Sequence, residues 1–272
     1  MPRYVLPMLI LAVVVVALTL TWLTLGRTSA DIAVADQDVG PFHRIEVSGA
    51  ADVVLQKGAT EHVSVETPAR GSRLVAQVRG PTLFIESRDN RRWWSSIFGR
   101  GGARTARVTV TYRTLDAVTL SGAVKLQATG LDTPELRLEA SGGSSVRLDG
   151  LRTARLRVNG SGALKADVTG EAAEQTVSIS GAGEYNAERL ASIDAKVNVS
   201  GVGHVIVRVD KTLAASISGA GSIEYYGNPQ VKEHVSGVGR VRRREARMSE
   251  PPRWHVAAWH ARGSCAHIAQ AA

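Results

Sequence analysis

Seven Ser-Gly pairs, at Ser121, Ser141, Ser161, Ser180, Ser200, Ser218 and Ser236, are the first residues of this chain that could carry chemistry. A serine nucleophile of the hydrolase kind requires Gly-x-Ser-x-Gly on a sharp strand-to-helix turn. That elbow is absent. "NGSGA" around Ser161 is one copy of a recurring pattern, which assigns these serines a structural role. A glycan-cleaving site needs two carboxylates within about 5–10 Å of each other. Asp167, Glu184 and Glu224 are the acidic candidates. Asp167 and Glu224 occupy the same repeat position three repeats apart, about 14 Å at the spacing of neighbouring strands. His255, His260, Cys265 and His267 in "WHVAAWHARGSCAH" are ligand types, but they lack the paired short spacings of a structural zinc site. His204 and His234 read as solvated outer-face residues. The residues therefore predict no enzyme, no metal and no cofactor.

The segment 88–107, "RDNRRWWSSIFGRGGARTAR", is the best candidate for contact with a partner. Arg91, Arg92, Trp93, Trp94 and Phe98 form the candidate binding loop, because Arg and aromatic side chains dominate binding hot spots and suit membrane interfaces. The competing reading folds the two Trp back over an open end of the strand stack. The net charge of +8 resides mainly in this loop and in residues 240–272, which hold seven Arg and two Glu; the remaining body is mildly acidic. With export expected, that distribution predicts no nucleic-acid partner.

The elements that hold these residues have a clear period. The Ser-Gly pairs are spaced by 20, 20, 19, 20, 18 and 18 residues. Aligned on the serine, the third residue before it reads Val118, Leu138, Val158, Val177, Val197, Ala215 and Glu233. The residue just before reads Leu120, Ala140, Gly160, Ile179, Val199, Ile217 and Val235, and the fifth after reads Leu126, Val146, Ala166, Tyr185, Val205, Ile223 and Val241. Intervening positions are polar. Apolar alternation of period 2 on both sides of each pair predicts two short strands, each with one buried face. Gly49, Gly122, Gly142, Gly162, Gly181, Gly201, Gly219 and Gly237 are the predicted corners, where glycine takes positive φ at little steric cost, with a small residue inside the bend. Ser48-Gly49-Ala50 is an outlying copy, 73 residues upstream of Ser121. Column-wise order at this period predicts an all-β chain, a β-helix or β-solenoid of about 18–20-residue rungs.

One N-terminal hydrophobic helix precedes it. Val5 to Leu25 is an uncharged run of 21 residues, long enough to span a bilayer, with Arg3 on the side expected to stay in the cytoplasm. Thr28-Ser29-Ala30 leaves signal-peptide cleavage open. The body is therefore expected to be extracytoplasmic, in the periplasm or cell envelope, either secreted or held to the membrane through this segment. A single cysteine says little about redox compartment.

"FHRIEVSGAADVVLQKG" at 42–58, "GPTLFIESRDNRRWWSSIFGR" at 80–100 and "VTVTYRTLDAVTLSGAVKL" at 108–126, followed by the Ser-Gly rungs, resemble the bacterial family called putative auto-transporter adhesins with a head GIN domain. The resemblance covers about residues 38–240. It implies an extracytoplasmic β-helical domain and supplies no catalytic residues; the Arg-rich tail after Val241 departs from the pattern. The expected organisation is a signal peptide or transmembrane anchor at 1–30, a linker at 31–40, the β-helix domain at 41–241 and a basic, disordered tail at 242–272. Within the domain, 41–115 is the N-terminal part and 116–241 the repeat rungs. The expected function is binding or adhesion, with an unknown envelope glycan or protein as ligand. A membrane-anchored sensory or scaffold domain, and a glycan-processing β-helix enzyme, are the alternatives.

Overall fold

A computed structural model describes residues 32–68, 74–87 and 106–245, with the side chains of residues 39–66, 74–87 and 106–245. Every regular element among them is a strand: β1 (Ile32–Asp38), β2 (Arg44–Lys57), β3 (His62–Pro68), β4 (Leu74–Arg79), β5 (Thr82–Ser87), β6 (Arg107–Tyr112) and β7 (Ala117–Thr129). They continue as β8 (Asp132–Gly160), β9 (Ala163–Ile179), β10 (Ala182–Val199), β11 (Val202–Ile217), β12 (Ala220–Tyr226), β13 (Gln230–Val235) and β14 (Val238–Arg243). The expected N-terminal helix lies outside the described residues. Among the described residues no helix is long and apolar enough to cross a membrane.

The strands form one continuous sheet wound into a β-solenoid of about six turns. From β2 through β7, β8, β9, β10 and β11 to β12, β13 and β14, successive rungs pair in parallel. Ser48 stands opposite Ser121, and Ser121 opposite Ser141, so the outlying copy is the direct neighbour of the second rung. The 73-residue gap in sequence is filled by strands on the other side of β2. There β5 pairs with Arg44–Ser48 and β6 with Asp52–Lys57, both in parallel. Antiparallel strands then finish this end: β4 on β5, β3 on β6 and β1 on β3. Residues 31–40, expected to be a linker, thus contain a paired strand; its seven residues are too short a stretch for alternation to stand out.

The interior is built from the columns that the repeat defines. Val118, Leu138, Val158, Val177 and Val197 stack at 0–2% exposure, beside a second column containing Leu120, Ile179, Val199 and Ile217. Each such side chain contributes about 1.5–3 kcal/mol by leaving water, offset by the ordering of its backbone. The third position after the serine also faces inward, and its size answers that of the residue before the serine. Gly160 faces Leu164, whereas Ile179 is met by Gly183, Val199 by Gly203 and Gly221, and Ile217 by Gly239. A Cβ added at Gly183 would come within 2.9 Å of the Ile179 side chain. The second glycine of each Ser-Gly-small-Gly corner therefore makes room for the large residue across the bend. The small residue after the first glycine turns outward: Ala123, Ala163, Ala182 and Ala220 are exposed, and Val202 and Val238 are 66% and 85% exposed. The expectation that it fits inside the bend is corrected, because one residue of the corner must leave the interior for the chain to change direction.

Tyr185 is fully buried in an aliphatic column, between Ala166 and Val205, and burial pushes its phenol above the ordinary value near 10. Burial shifts Tyr112 in the same direction. In the unfolded chain these phenols ionise at pH near 10 while the folded ones stay protonated, so the stability they contribute is complete below pH 10 and falls as pH rises beyond it. The expected loss is about 1.4 kcal/mol per pH unit for each tyrosine so held. Urea midpoints measured from pH 8 to 11 should decline above pH 10, with a shallower decline in Tyr185→Phe; equal slopes would show that this phenol does not report burial.

Candidate functional site

The Ser-Gly corner, repeated along the stack, is where the structure gathers most of the residues singled out in the sequence. Gly49, Gly122 and Gly142 adopt φ of 96°, 108° and 92°, the left-handed region that favours glycine. Gly162, Gly181, Gly201, Gly219 and Gly237 lie outside that region, so positive φ does not explain them. They are close-approach glycines. A Cβ at Gly201 would fall well inside 3.0 Å of the Gly181 carbonyl oxygen, and the same holds for Gly181 on Gly162, Gly219 on Gly201 and Gly237 on Gly219. The corner serines serve the stack as well. Ser141 Oγ donates to the Leu120 carbonyl and Ser180 Oγ to the Gly160 carbonyl, both at 3.3 Å.

Two shallow grooves run along this corner. One, of about 430 Å³, crosses five rungs between the serines and the ladder Thr119, Glu139, Asn159, Ser178 and Asn198. Its walls carry hydroxyls and amides with a single carboxylate, at the spacing of about 4.8 Å between rungs. The other, of about 600 Å³, runs on the far side from Asp52 to Glu184 over a floor of Ala123, Gly143, Ala163 and Ala182. Lys125 and Lys165 stand on its rim, the latter paired with Glu184 at 3.2 Å. Such long, open, repeated surfaces can hydrogen-bond an extended ligand lying along the solenoid axis.

The acidic candidates are not brought together. Asp167 lies on β9 and Glu224 on β12, three rungs away, while Glu184 is engaged by Lys165. Glu224 is 2% exposed and takes ion pairs from Arg242 and Arg244. His204 Nδ1 lies 2.6 Å from Ser222 Oγ, and His234 is exposed. Among the described residues no group of three or more His, Cys, Asp or Glu is placed to hold a metal ion. His255, His260, Cys265 and His267 lie outside the described residues.

Arg91, Arg92, Trp93, Trp94 and Phe98 also lie outside them. The flanks of their segment are placed: Gly49 approaches Ser87 at the corner, and the Asp52 amide donates to the Ala106 carbonyl at 3.0 Å. Ser87 and Ala106, which flank that segment, thus stand at the Ser-Gly corner next to Gly49 and Asp52, and Ala51 and Asp52 line one end of the 600 Å³ groove.

Two features escaped the sequence reading. Gln175 is 1% exposed inside the solenoid, where its Nε2 donates to Ser192 Oγ at 2.7 Å and its Oε1 accepts from the Tyr185 hydroxyl at 3.3 Å. In the two rungs on either side its column, five residues before the serine, reads Leu136, Leu156, Ala195 and Leu213, so aligning those rungs would have exposed the anomaly. The other is the pairing of Glu224 with two arginines one rung on, which requires knowing that Glu224 and Arg242 are register partners.

Residues 41–229 match the family described as "Putative auto-transporter adhesin, head GIN domain". Among solved structures, a "putative adhesin" from Bacteroides fragilis is 21% identical with a TM-score of 0.69, covering 79% of this chain and 98% of that one. A "putative adhesin" from Parabacteroides merdae is 20% identical with a TM-score of 0.56, covering 80% and 98%. A "putative lipid binding protein" from Parabacteroides distasonis is 18% identical with a TM-score of 0.59, over the same shares of the two chains. At these identities the likeness is one of fold. No curated protein matches the chain.

Proposed function

Since the chain belongs to the "Putative auto-transporter adhesin, head GIN domain" family, we propose that it is an extracytoplasmic β-solenoid of the bacterial cell envelope whose work is binding or adhesion. The observation that carries this reading is the pair of grooves repeated rung upon rung along one corner, a geometry suited to holding an extended ligand. The separation and pairing of the acidic side chains favour the same reading over hydrolysis, which needs a close carboxylate pair. Val5 to Leu25 would tether the domain to the membrane, or direct its export if cleaved. The ligand is an envelope glycan or protein, and the loop bearing Arg91, Arg92, Trp93, Trp94 and Phe98 supplies its aromatic and cationic contacts.

The test is capture from an envelope extract by the full chain in neutral-detergent micelles, beside Trp93→Ala/Trp94→Ala and Asn159→Arg/Asn198→Arg variants of unchanged melting temperature. Loss of a captured component in the Trp variant assigns contact to the loop, and loss in the Asn variant assigns it to the polar groove. Capture unchanged by both, or none by the native protein, overturns the reading.

A further inference from the structure

The last rung is unlike those before it. Among the described residues β13 pairs only with β11 and β14 only with β12, so both have an open edge. Glu233 stands in register with Ala215 and Arg243 with Tyr225, placing charge in columns that are apolar in preceding rungs; both are exposed. Charges aimed at the core position of an end rung discourage further strand pairing. Lys232, Arg240, Arg242, Arg243 and Arg244 all belong to this rung, against the exposed acids Glu233 and Glu245. A second copy meeting it end to end would bring like charges together.

The cations are arranged in a line. Arg240, Arg242 and Arg244 alternate along one side of the chain at intervals of about 7 Å. Buried Glu224 accepts from Arg242 Nε at 2.8 Å and pairs with Arg244, so one carboxylate orients two guanidinium groups and leaves the trio positive. Arg208 joins them, its guanidinium 5.3 Å from the Tyr226 ring centre and its Nε donating to the Glu188 carbonyl at 2.8 Å. Holding arginines in place beforehand lowers the ordering cost of binding an anion. A line of cations along one strand fits an extended chain that carries a charge on each repeat, whereas a membrane surface calls for cations spread over a plane. We infer that this end of the solenoid docks an anionic polysaccharide, through residues other than those of the corner grooves and of the segment 88–107.

The experiment uses the full chain in neutral-detergent micelles and fluorescein-labelled polygalacturonate, with neutral dextran of matched length as control. Polygalacturonate is expected to bind and dextran not to, with affinity falling at least about tenfold between about 50 and about 200 mM NaCl, as several released counterions require. Arg240→Glu, which leaves the Glu224 pairs intact, is expected to weaken binding about fivefold or more, while Arg91→Glu/Arg92→Glu stays within about twofold of native. If the first variant melts abnormally, Arg240→Gln is read instead, with an expected loss of about threefold. Absence of polygalacturonate binding, equal binding of dextran, or an equal loss in the Arg91/Arg92 variant overturns the inference. Envelope capture through the loop or groove is scored on other residues, so either reading can fail alone.

Discussion

Gly201→Val is expected to destabilise the domain by about 4 kcal/mol or more, whereas Asn198→Val, three residues away, should change stability by no more than about 0.5 kcal/mol. The contrast rests on where each Cβ goes. At Gly201 any Cβ would overlap the Gly181 carbonyl oxygen, which is backbone and cannot rotate aside. The two rungs would have to separate, and Val202 N–H, which donates to the Gly181 carbonyl at 2.9 Å, would be pulled from its partner. Asn198 is half-buried on the outer face, where valine is well tolerated by a strand. At about 2–4 °C per kcal/mol for a domain of this size, the glycine variant should melt roughly 10 °C or more below native, and the asparagine variant near it. Gly130→Ala separates the two reasons for glycine, since Gly130 has φ of 65° and no atom within 4 Å of an added Cβ. It should cost only the strain of the left-handed region, about 1–2 kcal/mol. Comparable small losses in Gly201→Val and Asn198→Val would mean that the corners do not limit rung spacing.

That glycine illustrates what could and could not be read in advance. The period of 18–20 residues reported the solenoid because every rung must bury the same columns, so side-chain type repeats wherever the chain passes the same point. The reason for each glycine was less legible. Positive φ is a property of one residue, and it holds at Gly49, Gly122 and Gly142. Close approach belongs to two residues about 20 apart, and nothing in one corner announces that the next corner's carbonyl lies against it. The antiparallel finish of β1, β3 and β4 was hidden for a related reason: these strands occur once and lend no repeat to align. Asp167 and Glu224 were kept apart correctly because they share a column three rungs apart, and rung number alone sets that distance. The pairing of Glu224 with Arg242 and Arg244 needed the register itself.

Gln175 offers the sharper test of how the interior is specified. It is a polar side chain in an apolar column, and it remains there because both ends of its amide are occupied: Nε2 by Ser192 Oγ and Oε1 by the Tyr185 hydroxyl. Ser192 Oγ in turn donates to the Arg208 carbonyl at 2.5 Å, tying the network to the following turn. Tyr185→Phe should therefore cost about 1–3 kcal/mol, since the Gln175 carbonyl oxygen is left without a donor in a dry interior. Gln175→Leu should cost a similar amount, because the buried Tyr185 hydroxyl then loses its acceptor. The double variant removes donor and acceptor together while keeping nearly the same volume, and Ser192 still has its bond to Arg208. It should return to within about 1 kcal/mol of native, a coupling of several kcal/mol in urea unfolding. Additive losses would show that the two side chains are independently solvated, whereas recovery would show that the pair is kept as a unit. In the second case the network adds little stability over an apolar core; what it adds is register, because a leucine column accepts a shifted rung and a bonded Gln-Tyr pair does not.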